Sequence, residues 1–229
     1  MKIKYDLDSL PIEVYADGPT LDEINNFNKS LIKGYTFNPT LFKILRVTDY
    51  LGHCKKLLQT CDTLPVSLEV FADEKDEMIR QAIILGALGK NVYVKIPITN
   101  TSGESTVNVL NVLVDKGIKL NITAIFTKSQ VEKILPCLSN TESIISIFSG
   151  RIFDIGLDAV EITGEISELV HGYSTCKVLW ASPRMVYDII NACDANSDII
   201  TMQSSLIKKL SLFGKTPNEY SLDTVKMFY

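Results

Sequence analysis

With 229 residues, 46% hydrophobic and 22% charged, the chain can bury one large core or two small ones, and wholesale disorder is excluded. Its 23 basic and 27 acidic residues give a net charge of −4 with no Lys/Arg block, which argues against a nucleic-acid-binding stripe. No apolar run nears the roughly 20 residues of a membrane helix.

From the N-terminus, Lys2, Lys4, Asp6 and Asp8 break up the opening, so no secretory signal is read and a cytoplasmic protein is expected. Strand-like runs and helical patterns then alternate. A strand over 12–16 precedes a helix over 20–33, a strand over 34–37 precedes a helix over 39–60, and a strand over 66–71 precedes a helix over 73–88. The series continues as strand 92–96 and helix 104–116, strand 119–125 and helix 128–138, then strand 143–148 and helix 156–173. Strand 177–181 with helix 183–193 and strand 198–201 with helix 204–213 complete it. Asp73 is a candidate N-cap before an acidic first turn, and Gly89 and Gly117 stand where helices should stop.

Eight such units predict an α/β fold, a single-domain (β/α)8 TIM barrel covering 1–229. An open doubly wound sheet would usually bring a Gly-rich loop after its first strand, and VYADGPT is not one. The tail, 216–229, carries Tyr220, Leu222, Val225, Met227, Phe228 and Tyr229, and is expected to dock on a neighbouring subunit. Five cysteines, at 54, 61, 137, 176 and 193, lack a CxxC and fit reduced thiols. His53 and His171 are far apart without ligand-spaced neighbours, so no metal site is expected.

Barrel strands alternate side chains between lumen and helix shell, and active sites lie at their C-terminal ends. Over 91–97, Val92, Val94 and Ile96 then face helices and Lys95 points inward. A buried ammonium is costly unless paired or deprotonated, and a neutral amine is a nucleophile. The alternative is a lysine whose head reaches out at the strand end. The same parity brings Asp17, Asn38, Glu69, Asn121, Thr123, Ser146 beside Phe148, and Ser182 to the rim. Singly these have plainer readings: Asp17 and Asn38 as caps, Thr123 as an ordinary β-former. Two of the four arginines, Arg151 and Arg184, follow strands six and seven, where barrels often hold phosphate. Together these groups suggest Schiff-base chemistry on a sugar phosphate.

In this order, VYAD, TFNPT, SLEVFAD, VYVKIPIT, LNITAIF, SIFSGRIFD and ASPR resemble the transaldolase family, in its short branch with the fructose-6-phosphate aldolases. The resemblance implies a (β/α)8 barrel in which Lys95 forms an imine with fructose 6-phosphate or sedoheptulose 7-phosphate. Asp17 would take the hydroxyl proton whose loss cleaves the carbon–carbon bond. Glu69 with Thr123 would hold a catalytic water. Asn38, Asn121 and Ser146 would hold the dihydroxyacetone hydroxyls, and Arg151, Ser182 and Arg184 the phosphate. It implies no metal or organic cofactor, sugar phosphates rather than nucleic acid or membrane as partners, and a homo-oligomer such as a ring-shaped pentamer or decamer. Ile147, Ser149, Pro183, Met202, Gln203 and the Gly18-Pro19 pair depart from the family pattern. Glu69 and Phe148 favour transfer over release of free dihydroxyacetone, because the aldolases of this branch resemble the pattern with Gln and Tyr there. A binding barrel that has lost turnover is the remaining alternative, against which the three groups Asp17, Glu69 and Lys95 speak.

Overall fold

The computed structural model describes residues 10–229 apart from Lys29, Leu45 and Val47. The opening read from Lys2, Lys4, Asp6 and Asp8 lies outside the described residues. Strands β1 (Glu13–Asp17), β2 (Ile32–Thr36), β3 (Val66–Glu69) and β4 (Val92–Pro97) pair in parallel with β5 (Leu120–Ile125), β6 (Ile144–Ile147), β7 (Lys177–Trp180) and β8 (Ile199–Gln203), each beside its neighbour in sequence. β8 closes onto β1, giving the expected (β/α)8 barrel.

Parallel neighbours need crossovers, and helices supply them. They are α1 (Leu21–Asn26), α2 (Pro39–Ile44), α3 (Tyr50–Cys61), α4 (Lys75–Gly86), α5 (Val107–Asp115), α6 (Lys128–Leu138), α7 (Ser149–Asp154), α8 (Ala159–Tyr173) and α9 (Asp188–Asp194); α10 (Ser204–Lys209) and α11 (Pro217–Met227) follow the last strand. Among the described residues no helix is long and apolar enough to cross a membrane.

Several elements differ from expectation, each for a local reason. The helix expected over 20–33 stops at Asn26, because the Asn28 side chain accepts from the Ser30 amide and hydroxyl and forms a turn. The 39–60 pattern is two helices: Arg46 takes a left-handed φ of 53°, and Asp49 restarts the helix by accepting from the Gly52 amide. β3 ends at Glu69 rather than at 71, since the Phe71 and Ala72 amides donate to the Gln81 side chain. The 183–193 helix begins only at Asp188, which accepts the Arg184 and Met185 amides and holds the preceding loop in place. Asp73 caps nothing, and accepts instead from the amide and hydroxyl of Thr101 at 2.7 Å each. Before α8, an unforeseen short helix, α7, carries Arg151.

Two apolar sets meet at the sheet. Val92, Val94 and Ile96 pack outward with the helices, whereas Tyr15, Tyr93, Ile144, Leu179 and Ile199 fill the lumen. The lumen packing depends on Gly34: a Cβ there would lie 2.5 Å from the Tyr15 ring. Gly34→Ala should therefore destabilise the fold by about 1–3 kcal/mol, read as a lower urea midpoint with an unchanged slope. An unaltered midpoint would contradict this packing.

Candidate active site

The strands' C-terminal ends open onto a cavity of about 750 Å³. Lys95, only 7% exposed, rises from β4 with Nζ 3.0 Å from Glu69 Oε2. The pairing follows from register, since Glu69 and Lys95 are direct neighbours across β3 and β4. The Tyr50 hydroxyl donates to the Glu69 carbonyl at 2.7 Å and holds the end of β3. Across the lumen, Asp17 Oδ1 accepts from the Thr36 hydroxyl at 2.8 Å. Burial pushes the Asp17 carboxyl above its ordinary range; the Lys95 charge and the Thr36 bond oppose that rise, and Glu69 adds to it.

Thr123 reaches the cavity through a bulge. Between β5 and β6 the register shifts from Ile122–Ile145 to Ile125–Ile147, and Ala124 adopts a left-handed φ of 61°. The Thr123 hydroxyl is buried and has no partner among protein groups, so it is poised for a ligand. Asn38 does two things: its Oδ1 caps α2 by accepting from the Leu41 amide at 3.0 Å, which leaves the amide nitrogen for a ligand. Asn121 sits lower. It is fully buried, donating to Ser67 at 3.0 Å and accepting from Ser146 at 2.6 Å, and it does not line the cavity. The Ser146 hydroxyl, its hydrogen spent on Asn121, presents lone pairs upward, suited to accept from a hydroxyl.

The far wall is cationic. Arg151 lies over the Phe148 ring with its guanidinium carbon 5.1 Å from the centroid, and Phe126 packs behind at 5.8 Å. Ser182 takes a left-handed φ of 62° just after β7. Gly150 makes that turn possible, because a Cβ there would meet the Ser182 carbonyl oxygen at 1.6 Å. Arg184 is held by both oxygens of Asp154, its Nε donating to Oδ1 at 3.1 Å. Thus Asp17, Asn38, Glu69, Lys95, Thr123, Ser146, Phe148, Arg151, Ser182 and Arg184 all line one cavity.

Two other features carry less. A cavity of about 850 Å³ lies outside the barrel between α1 and the 207–211 segment, but Lys208, the one lysine among the described residues that line it, already faces Glu23 at 3.7 Å. Burial pushes the Cys54 and Cys61 thiols up to about 12, so neither is a ready nucleophile.

The sequence model of the family described as "Transaldolase/Fructose-6-phosphate aldolase" matches residues 14–228. The chain belongs to that family. A "Probable transaldolase" of Methanococcus maripaludis (strain C7 / ATCC BAA-1331) is 32% identical over 90% of this chain and 93% of its own. One from Thermoanaerobacter sp. (strain X514) is 31% identical over 87% of this chain and 89% of its own. A crystal structure of an enolase-superfamily member from Agrobacterium tumefaciens overlays with a TM-score of 0.59 at 11% identity, covering 86% of this chain and 50% of that one, and so shares the fold alone. The protein is thus an enzyme of the transaldolase/aldolase type.

Within this transaldolase/aldolase barrel two departures from the family pattern have local explanations. Ser149 is fully buried and its hydroxyl pairs with that of Thr163 at 2.8 Å, fastening α7 to α8. Gln203, at the end of β8, adds an amide to the cavity wall. Sequence reasoning missed Thr36, Thr201, Ser67, Asp154 and Asp188. Parity carried to the end of β8 marks Thr201 as inward, and carried back along β2 and β3 it marks Thr36 and Ser67. Nothing in the sequence marks the loop partners Asp154 and Asp188.

Because folding raises the Asp17 pKa, its protonated form favours folding. That contribution is present in full below the unfolded value and lost as pH rises through the folded value, so ionising the buried group opposes folding. Asp17→Asn should raise the unfolding temperature at pH 7 while removing activity. The gain should shrink in acid; a lowered transition at pH 7 would contradict the electrostatic picture.

Proposed function

We propose that the protein is a transaldolase, moving a dihydroxyacetone unit from sedoheptulose 7-phosphate to glyceraldehyde 3-phosphate, and in reverse from fructose 6-phosphate to erythrose 4-phosphate. The observation that carries this reading is the buried Lys95–Glu69 pair facing Asp17 in one cavity. Glu69 is placed to take a proton from Nζ, freeing the amine to attack the ketone carbon. Loss of water gives a protonated imine. Asp17 then accepts the proton of the hydroxyl on the carbon β to the imine carbon, the bond between the α and β carbons breaks, and its electron pair moves into the imine to give an enamine while the β carbon leaves as the aldehyde. The aldose phosphate leaves, another aldehyde takes its place, and the steps reverse.

Thr123 and Glu69 would hold the water lost and regained. Asn38 and Ser146 would meet the dihydroxyacetone hydroxyls, with Asn121 acting through Ser146. Arg151, Ser182 and Arg184 would meet the phosphate, Asp154 holding Arg184 so that its other donors turn to the cavity. Residues 1–229 would act as one domain in a cytoplasmic homo-oligomer; the exposed Leu222, Met227 and Phe228 of the α11 region support assembly.

Borohydride reduction in the presence of fructose 6-phosphate should leave a ketose-derived adduct on Lys95, found by peptide mass mapping. Lys95→Arg should leave no adduct and no activity, with the fold intact, since arginine keeps charge but is no neutral nucleophile. Wild-type protein that stays unmodified would sink the imine reading and leave only a binding barrel.

The second reading, an aldolase releasing dihydroxyacetone, turns on Phe148. Hydrolytic release needs a proton donor near the carbanion, and a phenyl ring has none. Phe148→Tyr should therefore raise dihydroxyacetone release relative to transfer onto erythrose 4-phosphate, and adding Glu69→Gln should raise it further. A wild type that already releases faster than it transfers would favour the aldolase.

Removing 216–229 should turn the assembly into a species of monomer mass by light scattering. A full-length chain that is already monomeric at micromolar concentration would contradict the oligomer.

A further inference from the structure

Beside Asp17, on the same cavity wall, stand two hydroxyls that the mechanism above does not use. Thr36 Oγ1 on β2 stands 2.8 Å from Asp17 Oδ1 and 2.6 Å from Thr201 Oγ1 on β8. Both threonines are buried, at 2% and 5% exposure. β2 and β8 are the two strands that flank β1, so the pair closes over the base from both sides of its strand.

The direction of the chain follows from counting hydrogens. An ionised carboxylate only accepts, so Thr36 must donate to Asp17. A hydroxyl has one hydrogen, so the contact between the threonines can be made only by Thr201 donating to Thr36. Donation into Thr36 polarises its O–H toward the carboxylate. We propose that Thr201, acting through Thr36, is a positioning residue for the reaction: the two hydroxyls fix Oδ1 of Asp17 and leave Oδ2 as the oxygen that takes the sugar proton. When Oδ2 receives that proton, Oδ1 remains an acceptor and the chain need not reorganise. The charged groups facing Asp17 are Lys95 from β4, which favours the anion, and Glu69 from β3, which opposes it. Its neighbours β2 and β8 bring Thr36, Thr201 and Gln203, none of them charged.

This inference rests on Asp17 being the base. The test measures the pH dependence of kcat for transfer from fructose 6-phosphate to erythrose 4-phosphate in Thr36→Val, Thr201→Val and the double variant. Thr36→Val should move the acid limb up by about one pH unit, and Thr201→Val by about half a unit, with kcat lowered and KM little changed. In the Thr36→Val background, Thr201→Val should add nothing, because its route to Asp17 is already cut. Thr36→Ser and Thr201→Ser should restore the wild-type limb. Borohydride trapping on Lys95, which precedes the Asp17 step, should persist in all of them. An unmoved acid limb in Thr201→Val, an equal further shift in the Thr36→Val background, or a serine variant as impaired as valine would each overturn the proposal. Absence of the Lys95 adduct in wild type, or full activity in Asp17→Asn, would instead overturn the reading on which it rests.

Discussion

The lumen of this barrel must accommodate an ammonium group. Lys95 stands among the outward-packed residues of β4, and its head emerges where Tyr93 and Leu179 close the floor below it. Little of it is exposed there, and the carboxylate of the next strand pairs with it. Removing one member of such a buried pair commonly costs about 3–5 kcal/mol, because the other charge is left behind. The pair therefore constrains its surroundings: β3 and β4 must keep their register, Tyr50 must hold the strand end, and Asp17 must sit across from a positive charge.

Around that pair the structure accepts several unfavourable features. Asp17 is a buried acid whose ionisation opposes folding. Thr123 keeps an unpartnered hydroxyl, and Ala124 and Ser182 take left-handed conformations that favour glycine. Each such residue costs on the order of 1–3 kcal/mol. They cluster at the C-terminal rim, while the opposite half of the lumen is filled by apolar layers and the strands are backed by helices on every side. A stiff barrel sets reacting groups more accurately than free loops do.

The polar groups fall into two depths. Lys95, Glu69, Asp17 and Thr123 meet the cavity, with Thr36 and Thr201 on the wall beside Asp17, whereas Asn121 and Ser67 lie beneath it. Hydrogens are limiting in both: Ser146 gives its one hydrogen downward and can only accept above, and Thr36 gives its one to Asp17. Such chains make the chemistry of one residue depend on the hydroxyls and amides behind and beside it.

Period-two alternation decides which side of a strand is buried, and that much is local. For this reason the inward placement of Lys95, Asp17, Glu69 and Ser146 could be read from their own segments, as could eight strands alternating with helical patterns. Helix breaks were harder to read. Asn28, Asp49 and Gln81 end or restart elements by hydrogen-bonding particular amides, and propensity alone does not choose which amide. Closure of the barrel decided what no segment contains: that Thr201 of the last strand meets Thr36 of the second, that Asp154 clasps Arg184, and that Asn121 supports the site from below. These are contacts between residues 165, 30 and 25–54 positions apart. Local patterning determines which residues face the lumen, but only the ring of strands determines which of them touch.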